Sequence, residues 1–257
     1  MTGGPSVDRM SLAGKAFLIT GAGTGIGAAT AVRAAAGGAR VAVLGRRASA
    51  LRQTAARGAG EIIAIPGDIT EPADVDRAAS TVLEEFGGID GLVNNAGIGR
   101  FAPIADADCK DLQYMFDLHV RGPVQLVQRF LPSLRERRGS IVNVTSVAGD
   151  LAAPNRSFYG ATKAAINHLT RSLALELAPD VRVNAILPGP VDTPIYDEVA
   201  KSPEQLAKLR ADMIALTPLG RFGRPEELAA WVCQLLDDET GSWVTGTLLP
   251  VDGGRCA

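Results

Sequence analysis

A tyrosine and a lysine are spaced so that together they could move a proton. Tyr159 and Lys163 stand four residues apart in a segment with a helical pattern, so both side chains lie on one helical face. A free tyrosine has a pKa near 10, which is too high for efficient proton exchange at neutral pH. A neighbouring ammonium favours the phenolate, and we therefore expect Lys163 to lower the pKa of Tyr159. Tyr159 could then give a proton to a carbonyl oxygen or take one from an alcohol.

Ser146 precedes this pair, directly after a predicted strand over residues 140–145. Ligands of parallel sheets gather at the C-terminal ends of the strands. The Ser146 hydroxyl could there orient a carbonyl oxygen and share its developing negative charge. The alternative interpretation is a buried tyrosine that packs on its helix beside a lysine whose ammonium reaches solvent.

A glycine-rich turn near the N-terminus is typical of a dinucleotide site. Residues 20–27 read Thr-Gly-Ala-Gly-Thr-Gly-Ile-Gly, between a predicted strand over residues 15–20 and an alanine-rich helix. Glycines let the backbone approach a pyrophosphate, and the helix N-terminus presents free N–H groups and a positive dipole end. The turn therefore predicts a bound dinucleotide, although glycine-rich turns can also serve only as turns.

The end of the second predicted strand bears on which dinucleotide is bound. Enzymes that prefer NAD usually carry a carboxylate there, which binds the ribose 2′-hydroxyl. Here the position is Gly45, followed by Arg46 and Arg47. Guanidinium groups match phosphate geometry, so we expect NADP(H), with NAD as the alternative cofactor. Two solvated arginines on a loop remain the competing interpretation.

Strand-like and helical patterns alternate along the chain. Short, β-branched apolar runs predict strands over residues 15–20, 40–45, 61–65, 90–94, 140–145, 181–187 and 247–250. Helical patterns cover residues 72–86, 108–138 and 157–177, and Pro225 opens another helix. The alternation predicts a single doubly wound Rossmann domain over residues 1–257, with a seven-stranded parallel sheet and helices on both faces. We expect residues 1–10 to be flexible and residues 193–219, which lack a strand pattern, to form a substrate-binding lid.

Composition and charge exclude several classes of function. The chain has 257 residues and a formal net charge of −2, so no basic surplus favours nucleic acid as the main partner. Three scattered cysteines and two histidines predict neither a metal site nor a disulfide framework. The first ten residues lack an apolar signal core, and no apolar run is long enough to cross a bilayer. We therefore expect a cytoplasmic protein with no membrane partner.

Four further motifs follow in order along the chain: Asn-Asn-Ala-Gly at 94–97, Ser146 within Asn-Val-Thr-Ser, Pro-Gly at 188–189 and Asp-Gly-Gly at 252–254. With the glycine turn and the Tyr159–Lys163 pair, the chain resembles the short-chain dehydrogenase/reductase family, and within it the 3-oxoacyl reductase-like members. The resemblance extends over nearly the whole chain. It implies an oxidoreductase acting on CH–OH groups with NAD(P), in which Lys163 also binds the nicotinamide ribose. The positive nicotinamide of the oxidised cofactor would then help Lys163 to lower the pKa of Tyr159.

The resemblance also assigns residues to the cofactor. Asp68 matches an acidic residue near the adenine, although it could equally cap a turn, and Val191 and Thr193 match contacts to the nicotinamide carboxamide. The full set of expected cofactor contacts is Gly21, Gly23, Thr24, Gly25, Ile26, Gly27, Arg46, Arg47, Asp68, Ile69, Asn95, Ala96, Gly97, Tyr159, Lys163, Pro188, Gly189, Val191 and Thr193.

One position departs from the family pattern. The family carries a fourth catalytic residue, an asparagine in the long helix before the fifth strand, and here His119 stands in its place. In the family that backbone carbonyl holds a water that links the lysine to solvent. Pro123 has no N–H, so it frees the His119 carbonyl from its helical donor and favours a kink. We expect activity to survive, with the imidazole either relaying protons or filling the water site.

The leading hypothesis is therefore an oxidoreductase that moves hydride between NADP(H) and a carbonyl/secondary-alcohol pair. The resemblance suggests 3-oxoacyl thioesters, polyketide ketones, hydroxysteroids or simple ketones, and no arginine cluster in the sequence marks an acyl-carrier-protein or phosphorylated-substrate site. Residues 101–103 and 193–219 should shape the pocket, with Ile195, Tyr196, Met213 and Ile214 on the inner face of the lid, although these segments could equally be ordinary packing. The alternative is a nucleotide-binding protein with weak or no turnover. Relatives commonly form tetramers, so we expect a homotetramer or homodimer.

Overall fold

Seven parallel strands form one sheet in a computed structural model that describes residues 12–197 and 202–257. The strands are β1 Ala16–Thr20, β2 Arg40–Gly45, β3 Ile62–Pro66, β4 Gly91–Asn94, β5 Ser140–Val144, β6 Arg182–Pro188 and β7 Leu248–Val251. Their order across the sheet is β3-β2-β1-β4-β5-β6-β7. The predicted doubly wound α/β fold is confirmed. Residues 1–10, for which we predicted flexibility, lie outside the described residues.

Helices cover both faces of this sheet. They are α1 Gly25–Ala36, α2 Ala48–Arg57, α3 Pro72–Phe86, α4 Cys109–Phe116, α5 Gly122–Glu136, α6 Ser157–Leu177, α7 Pro203–Ala215 and α8 Pro225–Leu236. Buried side chains of α1, α2 and α8 share one hydrophobic cluster, and those of α3 to α6 share another. Within the described part of the chain, no helix combines the length and apolarity required to cross a membrane.

The central strand β1 shows why the strands read as continuous apolar runs. Ala16 and Leu18 face the cluster that contains α3 to α6, while Phe17 and Ile19 face the cluster that contains α1, α2 and α8. A strand covered on both sides needs apolar residues at every position. The sheet order reverses between β1 and β4, so the loops after these two strands border a crevice at their C-terminal ends.

The helix predicted over residues 108–138 is interrupted by a turn of π-helix. Asp117–Arg121 adopts this wider winding between α4 and α5, and the Gly122 N–H donates to the Asp117 carbonyl five residues earlier. Pro123 follows directly and cannot donate a backbone hydrogen bond, which favours such a break in the α-helical ladder. The expected irregularity is therefore present, and His119 lies at its centre.

Residues 193–219 are largely helical in their described part. A single 3-10 turn, Pro194–Tyr196, is followed after residues 198–201 by α7. Arg210 on α7 pairs with Asp192 at 2.9 Å, and the Leu219 N–H donates to the Gly253 carbonyl at 3.1 Å. Met213 on the same helix is buried. The segment is thus attached to the end of β6 and to the C-terminal region.

Candidate active site

A cleft of about 330 Å³ opens at the C-terminal ends of the strands. Every residue that we expected to contact the cofactor lines this cleft, with the exception of Gly27, and Ser146 lines it as well. Gly27 and His119 are not among the residues that line the cleft. The cleft is also lined by Phe101, Ile195, Tyr196 and Met213, which we expected to shape a substrate pocket. Ile214, which we expected on the same inner face, is exposed and is not among the lining residues, because it follows Met213 on α7 and points to another side of the helix.

Close backbone packing shapes the glycine turn at one end of the cleft. Gly21 has φ +64°, and a Cβ there would lie 2.7 Å from the Ala96 Cα, so a side chain is excluded on both counts. A Cβ on Gly27 would collide with the Asn95 amide, which explains this glycine without any contact to a ligand. The Asn95 side chain donates to the carbonyls of Thr20 and Gly21 at 2.9 and 3.2 Å. Asn95 therefore joins the end of β4 to the turn after β1.

The N-terminus of α1 is arranged to receive an anion. Thr24 is the N-cap residue, and within the described residues its side chain accepts no hydrogen bond from the first turn. Its hydroxyl instead accepts from Arg47 Nη2 at 3.3 Å. The first-turn N–H groups are thus left without a side-chain cap beside a guanidinium, as a bound pyrophosphate requires. These residues fit a dinucleotide.

Arg46 and Arg47 stand at the outer end of the same cleft. The Arg46 guanidinium donates to the Tyr114 hydroxyl at 2.8 Å, and neither arginine forms an ion pair with a carboxylate of residues 12–197 or 202–257. Asp68 lines the cleft but also caps its own turn, because one oxygen accepts from both the amide and the hydroxyl of Thr70 at 3.0 and 2.9 Å. Asp68 therefore caps its own turn and also lines the cleft, so its role as a turn cap does not exclude a contact with the adenine.

Ser146, Tyr159 and Lys163 come together at the inner end of the cleft. Ser146 caps the short helix Val147–Gly149, and its hydroxyl accepts from the Ala148 N–H at 3.1 Å. Tyr159 lies in the first turn of α6 and is 8% exposed. One turn further, the Lys163 ammonium lies 5.6 Å from the centre of the Tyr159 ring and donates to the Val144 carbonyl at 3.4 Å. Helix α6 thus places both side chains on the face that the spacing indicated.

Comparison with known proteins identifies the family. A family model described as enoyl-(acyl carrier protein) reductase matches residues 21–255. A solved structure of a short-chain type dehydrogenase/reductase from Mycobacterium marinum superposes with a TM-score of 0.89 at 35% identity, covering 97% of this chain and 98% of that one. The chain belongs to the short-chain dehydrogenase/reductase family. It is therefore an oxidoreductase of the class that acts on carbonyl and alcohol groups with a nicotinamide dinucleotide.

Two further members of the family show what its sites accommodate. The 3-oxoacyl-(acyl-carrier-protein) reductase FabG of Thermotoga maritima is 37% identical over 250 residues, which is 95% of this chain and 99% of the relative. The L-sorbose reductase of Gluconobacter frateurii, solved with NADPH and L-sorbose, has a TM-score of 0.89 at 30% identity, covering 96% of this chain and 98% of that one. Members that resemble this chain to a similar degree thus differ widely in substrate.

Burial, not charge, dominates the titration of the Tyr159–Lys163 pair. Removal from water raises the pKa of Tyr159 to about 12, and the Ser146 hydroxyl acts in the opposite direction. Burial also lowers the pKa of Lys163 to about 8. Desolvation therefore places the pKa of the phenol above its usual value in the chain without a cofactor. The expected lowering, which also depends on the positive nicotinamide of the oxidised cofactor, stays a prediction.

His119 is a buried connector with both ring nitrogens engaged. Nε2 accepts from the Ile98 N–H at 3.1 Å, so Nδ1 carries the proton and donates to the Thr162 hydroxyl at 2.9 Å. That hydroxyl in turn donates to the Tyr159 carbonyl at 2.9 Å. Burial, with the nearby Lys163 charge, holds the pKa of His119 well below 6.5. The ring therefore stays neutral and has no nitrogen left to relay a proton.

Two cleft residues were missed from the sequence. Arg156 and Arg255 line the cleft together with Tyr159 and Tyr196, although we expected no arginine cluster near the substrate. Arg156 lies one turn before Tyr159, and that position was the available signal. Arg255 is remote in sequence and reaches the cleft only because the C-terminal segment folds back beside α7, so no local pattern could indicate it.

Proposed function

We propose that this chain catalyses reversible hydride transfer between NADP(H) and a carbonyl/secondary-alcohol pair, with Ser146, Tyr159 and Lys163 as its catalytic residues. The observation that carries the proposal is their convergence at the inner end of one cleft whose outer end holds the glycine turn. A dinucleotide that extends from the glycine turn along the cleft would bring its far end to these side chains.

Each of the three side chains has a distinct task. The cleft residues would hold a nicotinamide dinucleotide, which would supply hydride chemistry at the carbonyl carbon in either direction. Tyr159 gives its phenolic proton to the carbonyl oxygen, so the net product is the alcohol and the tyrosine is left as phenolate. Ser146 accepts from Ala148, which leaves its hydroxyl proton for the substrate oxygen or the phenolate. The Lys163 ammonium stabilises the phenolate that forms beside it.

A preference for NADP(H) over NAD(H) is supported by the outer end of the cleft. Arg46 and Arg47 follow β2, where a carboxylate would repel a 2′-phosphate. Both guanidinium groups lie at the cleft, and Arg47 contacts Thr24 beside the pyrophosphate position. The family resemblance suggests 3-oxoacyl thioesters, polyketide ketones, hydroxysteroids or simple ketones as substrates, and the L-sorbose reductase adds sugars to these classes.

Replacement of the phenol tests the reaction. Tyr159→Phe removes the proton donor and keeps the ring, so we expect kcat for ketone reduction to fall by about 10²- to 10⁴-fold. NADPH binding, followed by its fluorescence, should be retained. Ser157→Ala, at an exposed position two residues earlier, is the matched control and should keep the wild-type rate. An unchanged kcat in Tyr159→Phe would remove Tyr159 from the mechanism.

The competing function is a nucleotide-binding protein with weak or no turnover, and His119 is the observation that favours it. Its ring occupies the position expected for the family's catalytic asparagine and offers no free nitrogen. Tight NADPH binding without NADPH oxidation, across a broad panel of ketones, would support this function. Efficient turnover by the wild type on any of those ketones would reject it.

A further inference from the structure

Two cationic side chains face the substrate end of the cleft and form no ion pair with a carboxylate of the described residues. Arg156 and Arg255 line the cleft beside Tyr159, at the end opposite to Arg46 and Arg47. Among the described residues, neither guanidinium lies within ion-pair distance of a carboxylate. This pair is the strongest charged feature of the cleft that cofactor binding does not explain.

The Arg156 side chain is held in place by its surroundings. The preceding Asn155 adopts a left-handed conformation with φ +64°, and its carbonyl accepts from the Ala102 N–H at 3.0 Å. The guanidinium carbon of Arg156 lies 4.9 Å from the centre of the Phe101 ring. The Phe101 ring lies 5.3 Å from that of Tyr159 in an edge-on contact. Arg156 is therefore fixed one aromatic ring away from the proposed proton donor.

Arg255 is positioned by a turn that does not neutralise it. The Asp252 carboxylate accepts from the Gly254 and Cys256 N–H groups at 2.9 and 2.8 Å, which forms the turn that carries Arg255. Within the part of the chain that the structure describes, the guanidinium makes one hydrogen bond, to the carbonyl of the buried Met213 at 3.3 Å. A guanidinium has five N–H donors, so most of the Arg255 donors remain for a ligand.

Nearby carboxylates are already engaged elsewhere. Asp192 pairs with Arg210 at 2.9 Å, and Asp150 accepts from Asn167 at 3.2 Å. Burial and the Arg255 charge lower the pKa of Arg156, in agreement with a desolvated cation that lacks an opposite charge. Two like charges that converge in one partly buried cleft are unfavourable unless a ligand supplies the anion.

We propose that the substrate is an oxo acid or hydroxy acid whose carboxylate is bound by Arg156 and Arg255 while its carbonyl or alcohol carbon faces Tyr159. This inference rests on the proposed function and narrows its substrate class. Arginine is suited to this task because its planar fork can donate two parallel hydrogen bonds to a carboxylate. Arg46 and Arg47 bind the cofactor phosphate at the other end, so the two arginine pairs serve different ligands.

Matched pairs of substrates test the inference. Acetoacetate, 4-oxopentanoate and 5-oxohexanoate are each compared with their methyl esters, so that the carboxylate charge changes while the ketone stays the same. We expect at least one acid to exceed its ester in kcat/KM by about 10-fold or more, because hydrogen bonds to charged groups typically contribute a factor of this size. The best chain length reports the distance between the arginines and the reacting carbon.

Substitutions of Arg156 and Arg255 test whether these two side chains cause the preference for the acid over its ester. Arg156→Gln and Arg255→Gln should each lower kcat/KM for the preferred acid by about 10- to 100-fold and leave the values for its ester and for NADPH within about 3-fold. Arg255→Lys keeps the charge and a donor toward Met213, so it should recover part of the loss if folding of Arg255→Gln is impaired. Arg135→Gln, an exposed site on α5, is the control for net charge and should change nothing.

The outcomes separate this inference from the proposed function. Turnover of the esters with no preference for any acid, or a preference that survives both glutamine variants, overturns the inference and leaves the reaction intact. If neither acids nor esters are turned over, the proposed function fails. In that case calorimetric titration of 4-oxopentanoate into the NADPH-loaded protein decides: binding that is lost in Arg156→Gln supports the anion site, and absence of binding overturns it.

Discussion

Replacement of His119 should destabilise the fold by an amount that depends on pH. His119→Ala leaves the buried Ile98 N–H without an acceptor, at a cost of about 1–3 kcal/mol, and removes the hydrogen bond to Thr162, which contributes about 1 kcal/mol. We therefore expect the free energy of unfolding at pH 7.5 to fall by about 2–4 kcal/mol, before any cost of the cavity. His119→Asn keeps a side-chain acceptor for the amide and should lose less.

The pH dependence follows from the neutral state of the buried ring. Burial holds the pKa of His119 well below 6.5 in the folded protein, whereas the unfolded chain takes up the proton as the pH falls through 6.5. The unfolded state then binds more protons, so acidification destabilises the wild type. Between pH 7.5 and 5.5 this contribution amounts to about 1.4 kcal/mol, and variants without the imidazole do not lose it. The difference between wild type and His119→Ala should therefore shrink by about that amount at pH 5.5.

Urea unfolding at the two pH values, followed by tryptophan fluorescence, measures these differences. His168→Asn, which replaces the other histidine of the chain at an exposed position on α6, is the matched control. If the wild type and His119→Ala differ by the same free energy at both pH values, His119 is not held neutral in the folded protein. The hydrogen-bond assignment of its two nitrogens would then be wrong.

Three further predictions concern the cofactor end and the buried cation. Arg46→Asp should raise KM for NADPH by about 10- to 100-fold and change KM for NADH much less, as steady-state kinetics with both cofactors will show; a wild type that already prefers NADH refutes the arginine argument. Asn95→Ala leaves the carbonyls of Thr20 and Gly21 without their donor, so we expect about 1–3 kcal/mol lower stability in urea and weaker NADPH binding in fluorescence titrations. Because the pKa of Lys163 is lowered to about 8 from 10.5, the unfolded state binds more protons between these values. Wild-type stability should gain from Lys163 between pH 8 and 10 by up to about 1.4 kcal/mol per unit, and a Lys163→Met variant that shows the same slope in urea titrations would exclude this origin.

The strands could be predicted to within one residue because their environment imposes a simple pattern. In β1 both faces are covered, so Ala16, Phe17, Leu18 and Ile19 are all apolar and the run ends where the glycine turn begins. The π-turn at Asp117–Arg121 could be anticipated only as an irregularity. Pro123 indicates that a hydrogen bond is missing, but how neighbouring carbonyls find other donors depends on the packing of α4 and α5.

Some features of the site could likewise be predicted from the local sequence, whereas others depend on contacts between segments that are remote in sequence. The glycine turn and the Tyr159–Lys163 pair were accessible because backbone geometry and helical spacing are local properties of the sequence. Gly27 carries the same signal as its neighbours, yet it is a glycine because Asn95 packs against it. Arg255 meets Arg156 only through the tertiary fold, and among residues 12–197 and 202–257 the lack of a carboxylate paired with them depends on several segments that are remote in sequence.

The protonation state of Tyr159 shows most clearly that residue spacing does not reveal the effect of burial on a pKa. A lysine one turn away predicts a lowered tyrosine pKa if charge alone is considered, but the same burial that brings the groups together also removes water from both. Desolvation opposes each charged form, so it raises the pKa of Tyr159 to about 12 and lowers that of Lys163 to about 8. At neutral pH the phenol therefore holds its proton, as reduction of a carbonyl requires. Oxidation of an alcohol must first remove that proton, at a cost of about 1.4 kcal/mol for each unit between the pH and the pKa, so that direction depends on additional positive charge beside the ring.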